Sequence, residues 1–198
     1  MTRLIDQTIT IVNTQAGNLY SLKAALEKIG NKVVIADTPD QVVGEKLVIP
    51  GQGRFGTVMS NLTKNDWVPF LNQWREQHKL ILGICVGMQI FFEGSAEDPD
   101  AIGLGWFEGK AAKLDFPKKP MVGWAPLTIE KDQSLPSGMP YFVNSYAIRE
   151  AKQCIAQTTY GETFCAAVKQ DNICGFQFHP EKSSQYGLEI LASQLNYQ

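Results

Sequence analysis

Histidine is scarce in this chain: 198 residues contain only two, His78 and His179. Any chemistry that needs an imidazole must therefore draw on one of them. Cysteine is hardly commoner, and Cys85, Cys154, Cys165 and Cys174 include no CxxC pair. With so few histidines, that spacing excludes an ordinary zinc site and offers no disulfide framework. An excess of one charge is missing too, since 18 Lys and Arg face 20 Asp and Glu for a net charge of −2. The densest basic cluster is the pair Lys118-Lys119, so nucleic-acid binding has no electrostatic basis. The longest apolar run, Leu80 to Phe92, is too short for a membrane span, contains Gln89 and is broken by Gly83 and Gly87. The segment Met1 to Asp6 has no h-region or small-residue cleavage site, so a cytoplasmic protein is expected. What is present, 44% hydrophobic and 19% charged residues, suffices for a core. At roughly 100–200 residues per domain, the length predicts a single domain over residues 1–198.

The hydrophobic pattern alternates between periods of two and of about 3.6. Thr8 to Val12 reads as a strand, and Leu19, Leu22, Leu26 and Ile29 then recur at helical spacing up to Gly30. Lys32 to Ile35 and Lys46 to Ile49 read as further strands, divided by a segment that begins Thr38-Pro39-Asp40. After Trp67-Val68-Pro69, a helix carrying Phe70, Leu71 and Trp74 leads to a buried-type strand, Leu80 to Ile84. This order predicts an α/β fold with a parallel sheet between helices. From about Gly109 short strands divided by Pro and Gly follow: Lys110 to Leu114, Met121 to Trp124, Tyr141 to Asn144, Phe164 to Val168 and Ile173 to Phe178. That half reads as mixed or antiparallel, closed by a helix over Tyr186 to Leu195.

The sharpest local feature is Gly83-Ile84-Cys85-Val86-Gly87, between a buried strand and the helix-like Met88 to Phe92. G-x-C-x-G at a strand-to-helix turn has the spacing of a nucleophile elbow. A helix N-terminus there would favour thiolate, and its free N–H groups would receive an oxyanion. A lone buried cysteine is otherwise a small hydrophobe, so the surrounding spacing carries the reading. Such a nucleophile needs a base. His78 sits in the polar helix end Trp74 to Lys79, where an ordinary solvated histidine is expected, whereas His179 ends a strand and precedes Pro180 and Glu181. In an extended segment, residues 179 and 181 lean to one side, so Glu181 would orient the imidazole. Pro50-Gly51-Gln52-Gly53-Arg54-Phe55-Gly56 follows another strand of the same sheet. Its glycines would let a backbone N–H point at a developing oxyanion.

Together PGQGRFG, GICVGMQ and GFQFHPEKSSQYG resemble the class I (triad) glutamine amidotransferases. Asn18 in AGNLYS, Gly123-Trp124, YFVNSY and Lys182-Ser183-Ser184 are in turn similar to the glutaminase subunits of imidazole glycerol phosphate synthases. The similarity spans essentially the whole chain. It implies a flavodoxin-like fold: a central, mostly parallel mixed sheet with helices on both faces and a smaller antiparallel portion. It also implies that Cys85 attacks the side-chain amide of L-glutamine while His179, oriented by Glu181, moves protons. Gly51, Gln52, Gly53, Val86 and Gln89 fall where the family contacts glutamine or its oxyanion, and Asn144, Ser145 and Tyr146 where it holds the α-groups. Asn18, Trp124 and Lys182 fall on the side turned toward a partner, a (β/α)8-barrel synthase in the resembled system. No metal or organic cofactor is implied.

Ammonia released into neutral water is mostly protonated and no longer nucleophilic, so a useful glutaminase must deliver it along a protected path. One domain already occupied by the glutaminase leaves no acceptor site, so the acceptor enzyme is expected to be another chain. Gln52, Met121, Ala125 and Asn144 depart from the residues usual in the resembled family, which has a small apolar residue, His, Asn and His there. None belongs to the triad. They leave a second reading open, the same chemistry serving a related barrel synthase that places nitrogen on a sugar precursor. A cysteine peptidase or γ-glutamyl hydrolase would use the same three residues without a partner.

Overall fold

The computed structural model describes residues 8–15, 19–115, 120–130 and 135–195. Chain order runs β1 (Thr8–Val12), α1 (Leu19–Lys28), β2 (Lys32–Ala36), β3 (Lys46–Gly51), α2 (Phe55–Lys64), α3 (Trp67–Glu76) and β4 (Leu80–Cys85). A single turn, α4 (Val86–Gln89), and the short strand β5 (Gly94–Ser95) follow. The second half holds β6 (Lys110–Lys113), β7 (Met121–Trp124), β8 (Thr128–Ile129), β9 (Tyr141–Asn144) and β10 (Tyr146–Ala147). It ends with β11 (Cys154–Tyr160), β12 (Glu162–Gln170), β13 (Ile173–Phe176) and α5 (Ser184–Leu195).

Eight strands form the main sheet in the order β2-β1-β3-β4-β13-β12-β11-β8. The pairs from β2 through β13 are parallel, and those from β13 to β8 antiparallel. Burial explains the parallel half: β1 and β3 are buried along their whole length, as sheet strands covered on both faces require. Helix α1 packs beside α5, and α2 beside α3, so the helices flank the sheet in two groups. Leu22, Ala25 and Leu26 of α1 and Val58, Met59 and Leu62 of α2 face inward at helical spacing. Strands β5, β6 and β10 make a small mixed sheet, and β7 pairs antiparallel with β9.

Several local expectations change. Helix α2 lacks a sequence start signal because its N-cap, Arg54, makes no side-chain cap. Its first N–H groups are satisfied from across the fold instead, Phe55 N donating to Glu97 and Gly56 N to Asp98 at 3.0 and 2.9 Å. Strand β11 went unread because Gln157, Thr158 and Thr159 hide its apolar half. The helix expected over Met88 to Phe92 is the one turn α4, shifted toward Cys85, and the strand expected to reach Phe178 ends at Phe176. His179 is extended, but Pro180–Lys182 turns as a 3-10 helix, so residues 179 and 181 do not share an extended face.

The parallel arrangement sets the site. β3, β4 and β13 run side by side in one direction, so Gly51, Cys85 and the segment after Phe176 emerge at the same edge. In open α/β sheets the carboxyl ends of the strands are where ligands bind.

Candidate active site

Cys85 ends β4 and takes φ 55° and ψ −113°, a conformation that costs a non-glycine residue roughly 1–3 kcal/mol. The neighbours that hold it there are close-packed backbone. Gly51 sits opposite Cys85 in the parallel register, and a Cβ on Gly51 would meet Gly87 N at 2.5 Å. A Cβ on Gly87 would meet the Ile49 carbonyl at 1.9 Å. The glycines of the two motifs are therefore one packing requirement, which brings the β3 end against the turn after Cys85. Since α4 is a single turn, it carries little macrodipole, and individual N–H groups such as that of Val86 are what it offers an oxyanion.

His179 is 2% exposed and fixed on both sides of its backbone. Its N–H donates to the Tyr141 carbonyl at 2.9 Å, its carbonyl accepts from Ser183 Oγ at 2.7 Å, and Ser183 Oγ accepts from Tyr141 N at 2.9 Å. Phe178 packs on Phe142 and Phe176 with ring centroids 5.7 and 4.8 Å apart, tying the segment to the core. Nδ1 of His179 lies 2.8 Å from Glu181 Oε1, with both side chains almost fully buried. The 3-10 turn makes this contact by folding the carboxylate back. Burial alone would push the imidazole down, but Cys85 and then Glu181, each as hydrogen-bond partner and as charge, push it up to about 10. With Nδ1 engaged by Glu181, Nε2 is the nitrogen left for Cys85.

These groups line a cleft of about 310 Å³, which suits a small ligand. Gln52, Gly53, Cys85, Val86, Gln89, Asn144, Ser145, Tyr146, His179 and Lys182 are all at its wall. Gly51 stands behind it in β3. Two buried acceptors of wall residues, Gln89 Oε1 and Asn144 Oδ1, have no hydrogen-bond partner among the described residues. Gln89 Nε2 donates to Tyr146 O at 3.0 Å and to Gln177 Oε1 at 2.9 Å, and Asn144 Nδ2 donates to Tyr146 O at 3.3 Å.

Trp124 lies outside the cleft wall, 57% exposed on β7 with its ring edge-on to Tyr141 at 4.8 Å. Asn18 lies outside the described residues. His78 is exposed after α3, away from the cleft. Sequence reasoning missed Glu97, which lines the cleft while accepting from Phe55 N, because nothing local links it to a loop 42 residues earlier. Next to it, Asp98 pairs with Arg54, and the Gly56 N–H and then Arg54 hold its carboxyl below the usual range. Missed as well was Gln177, whose place two residues before His179 is a legible same-side signal. Among the described residues, no three His, Cys, Asp or Glu side chains group as a metal site would need.

The class-I glutamine amidotransferase family model matches residues 5–196. Imidazole glycerol phosphate synthase subunit HisH of Bacillus velezensis is 38% identical over 197 residues, covering 92% of this chain and 93% of its own. The subunit of the same name from Carboxydothermus hydrogenoformans is 40% identical over 189 residues, with 91% and 95% covered. Among solved structures, PurLQS from Thermotoga maritima aligns with a TM-score of 0.76 at 18% identity, covering 96% of this chain and 98% of the matched one. That likeness concerns the fold.

Proposed function

Since the chain belongs to the class-I glutamine amidotransferase family, we propose that Cys85, His179 and Glu181 are the triad with which it hydrolyses L-glutamine to glutamate and ammonia. It is the glutaminase subunit of an imidazole glycerol phosphate synthase, serving histidine biosynthesis, in line with relatives of that name at 36–40% identity. The observation that carries the triad is the buried His179–Glu181 pair at 2.8 Å, beside a cysteine strained at the end of β4.

The chemistry follows from those positions. Cys85 Sγ, its proton taken by His179, attacks the side-chain carboxamide carbon. The oxygen becomes an oxyanion and is received by N–H groups of the Gly51 to Gly53 segment and of Val86. As the tetrahedral species collapses, the imidazolium gives its proton to the departing nitrogen, leaving ammonia and a γ-glutamyl thioester. Water, deprotonated by the same imidazole, attacks the thioester and releases glutamate and the thiolate. Glu181 keeps Nδ1 protonated and the ring oriented throughout.

Residues 1–198 act as one glutaminase domain, and a (β/α)8-barrel synthase receives the ammonia on the side bearing Trp124 and Lys182. Exposed Trp124 and Val122 on β7 support that assignment, since large apolar side chains there are well placed for a protein contact. A cytoplasmic location is supported by four cysteines that form no disulfide. No helix among the described residues is long and apolar enough to cross a membrane.

Glutamate release by the chain tests this, measured alone, with its barrel synthase, and with the synthase carrying its imidazole-pathway ribonucleotide. Slow basal release, stimulation by orders of magnitude and loss in Cys85→Ala are expected. Activity surviving in Cys85→Ala overturns the triad. Stimulation only by a paralogous synthase with a sugar substrate overturns the pathway while leaving the chemistry intact.

A further inference from the structure

Gln177 is fully buried, yet no step of the hydrolysis above uses it. Its Nε2 lies 3.6 Å from Cys85 Sγ, and its Oε1 accepts from Gln89 Nε2 at 2.9 Å. The orientation of both amides can be settled from one backbone group. The Tyr146 carbonyl can only accept, so the Gln89 atom 3.0 Å from it is nitrogen. That nitrogen also faces Gln177, so the Gln177 atom meeting it is oxygen. The end of Gln177 left toward Cys85 is therefore a donor, and Gln89 Oε1 has no partner among the described residues.

We propose that Gln177 is a further catalytic residue, a neutral N–H donor that holds the Cys85 sulfur as thiolate and aims it into the cleft. The inference rests on Cys85 being the nucleophile. A thiolate accepts a hydrogen bond far better than a thiol does, so a fixed donor favours the charged form and adds to what His179 supplies. The other groups around the sulfur are the His179 imidazole, the Val143 carbonyl at 3.9 Å and, at the cleft wall, Glu97 and Lys182. The Val143 carbonyl can serve only the thiol, because it has no proton to give. Gln177 is also fixed at both ends, its backbone N–H donating to the Ala166 carbonyl at 2.9 Å and its side-chain oxygen accepting from Gln89, so its donor is in place before substrate arrives.

The test is the pH profile of Cys85 alkylation by iodoacetamide, read by peptide mass spectrometry on the full chain, which needs neither glutamine nor the synthase. Gln177→Met removes both polar ends at similar length without adding a charge, and Gln177→Leu does the same with a shorter branched side chain. In folded variants, alkylation near neutral pH is expected to slow by about tenfold or more, with the midpoint moved upward. With the synthase bound, kcat falls by a similar factor while KM for glutamine changes little. A residue serving only the scaffold would leave the alkylation midpoint where it was. An unchanged midpoint in a folded variant therefore overturns the inference, and so does failure of both variants to fold. Glutaminase activity persisting in Cys85→Ala would instead sink the nucleophile assignment beneath it.

Discussion

Replacing Gly87 by alanine adds one methyl group, and the structure says where it goes. The new Cβ would lie 1.9 Å from the Ile49 carbonyl oxygen and 2.8 Å from the Ile49 carbonyl carbon, where contacts under 3.0 Å are essentially never found. The two backbones must therefore part by at least 1.1 Å, the difference between those limits. No rotamer change can absorb this, because both sides are main chain. Ile49 lies two residues before Gly51, so β3 carries the Gly51 to Gly53 segment away from Cys85 as it moves. Overpacking of this kind costs roughly 1–3 kcal/mol of stability. A displacement of about 1 Å in a catalytic group costs roughly 100-fold in rate. The expected result for Gly87→Ala is thus a folded protein, about 2 kcal/mol less stable, with kcat for glutamate release down by about two orders of magnitude. The assay is glutamate release at saturating glutamine with liganded synthase, paired with urea unfolding. Gly109→Ala is the control: its φ of +105° strains any side chain, but nothing lies within 4 Å and it is outside the cleft, so stability falls while kcat holds. A Gly87→Ala enzyme within about threefold of the parent kcat would refute the reasoning.

Glu181→Gln removes a charge that helps raise His179, so the imidazole should titrate below about 10, and kcat should fall by roughly 10²–10⁴ with the fold intact. Because the folded value lies above 6.5, that proton contributes stability fully present below about 6.5 and lost as pH rises through about 10; in the variant this loss comes earlier. NMR of the ring protons reads it directly, since the chain has two histidines and His78 is exposed; an unchanged His179 titration contradicts the pairing. Trp124→Ala should cost about 1 kcal/mol through the lost Tyr141 ring contact, yet weaken the synthase at least about tenfold. Binding and stimulation equal to the parent would remove Trp124 from the interface.

Much of this was determined by the sequence alone. Period-two and period-3.6 patterns located β1, α1, β2, β3, α3, β4 and α5, because each hides one face or all of itself in the core. Spacing brought forward Cys85, His179 and Glu181, since the elbow glycines and the His-Pro-Glu run are local signals. Where the deciding partner is distant, the sequence was silent. Helix α2 is capped by Glu97 and Asp98, 42 residues on, and β11 is a strand because β12 and β8 flank it. The Glu181 contact was anticipated on the wrong geometry, for a 3-10 turn and not an extended face delivers it. The role of Gln177 needed the tertiary structure altogether. Which end of an amide faces a sulfur depends on a chain of donors and acceptors running back to one carbonyl at Tyr146, and only folding brings those groups into line.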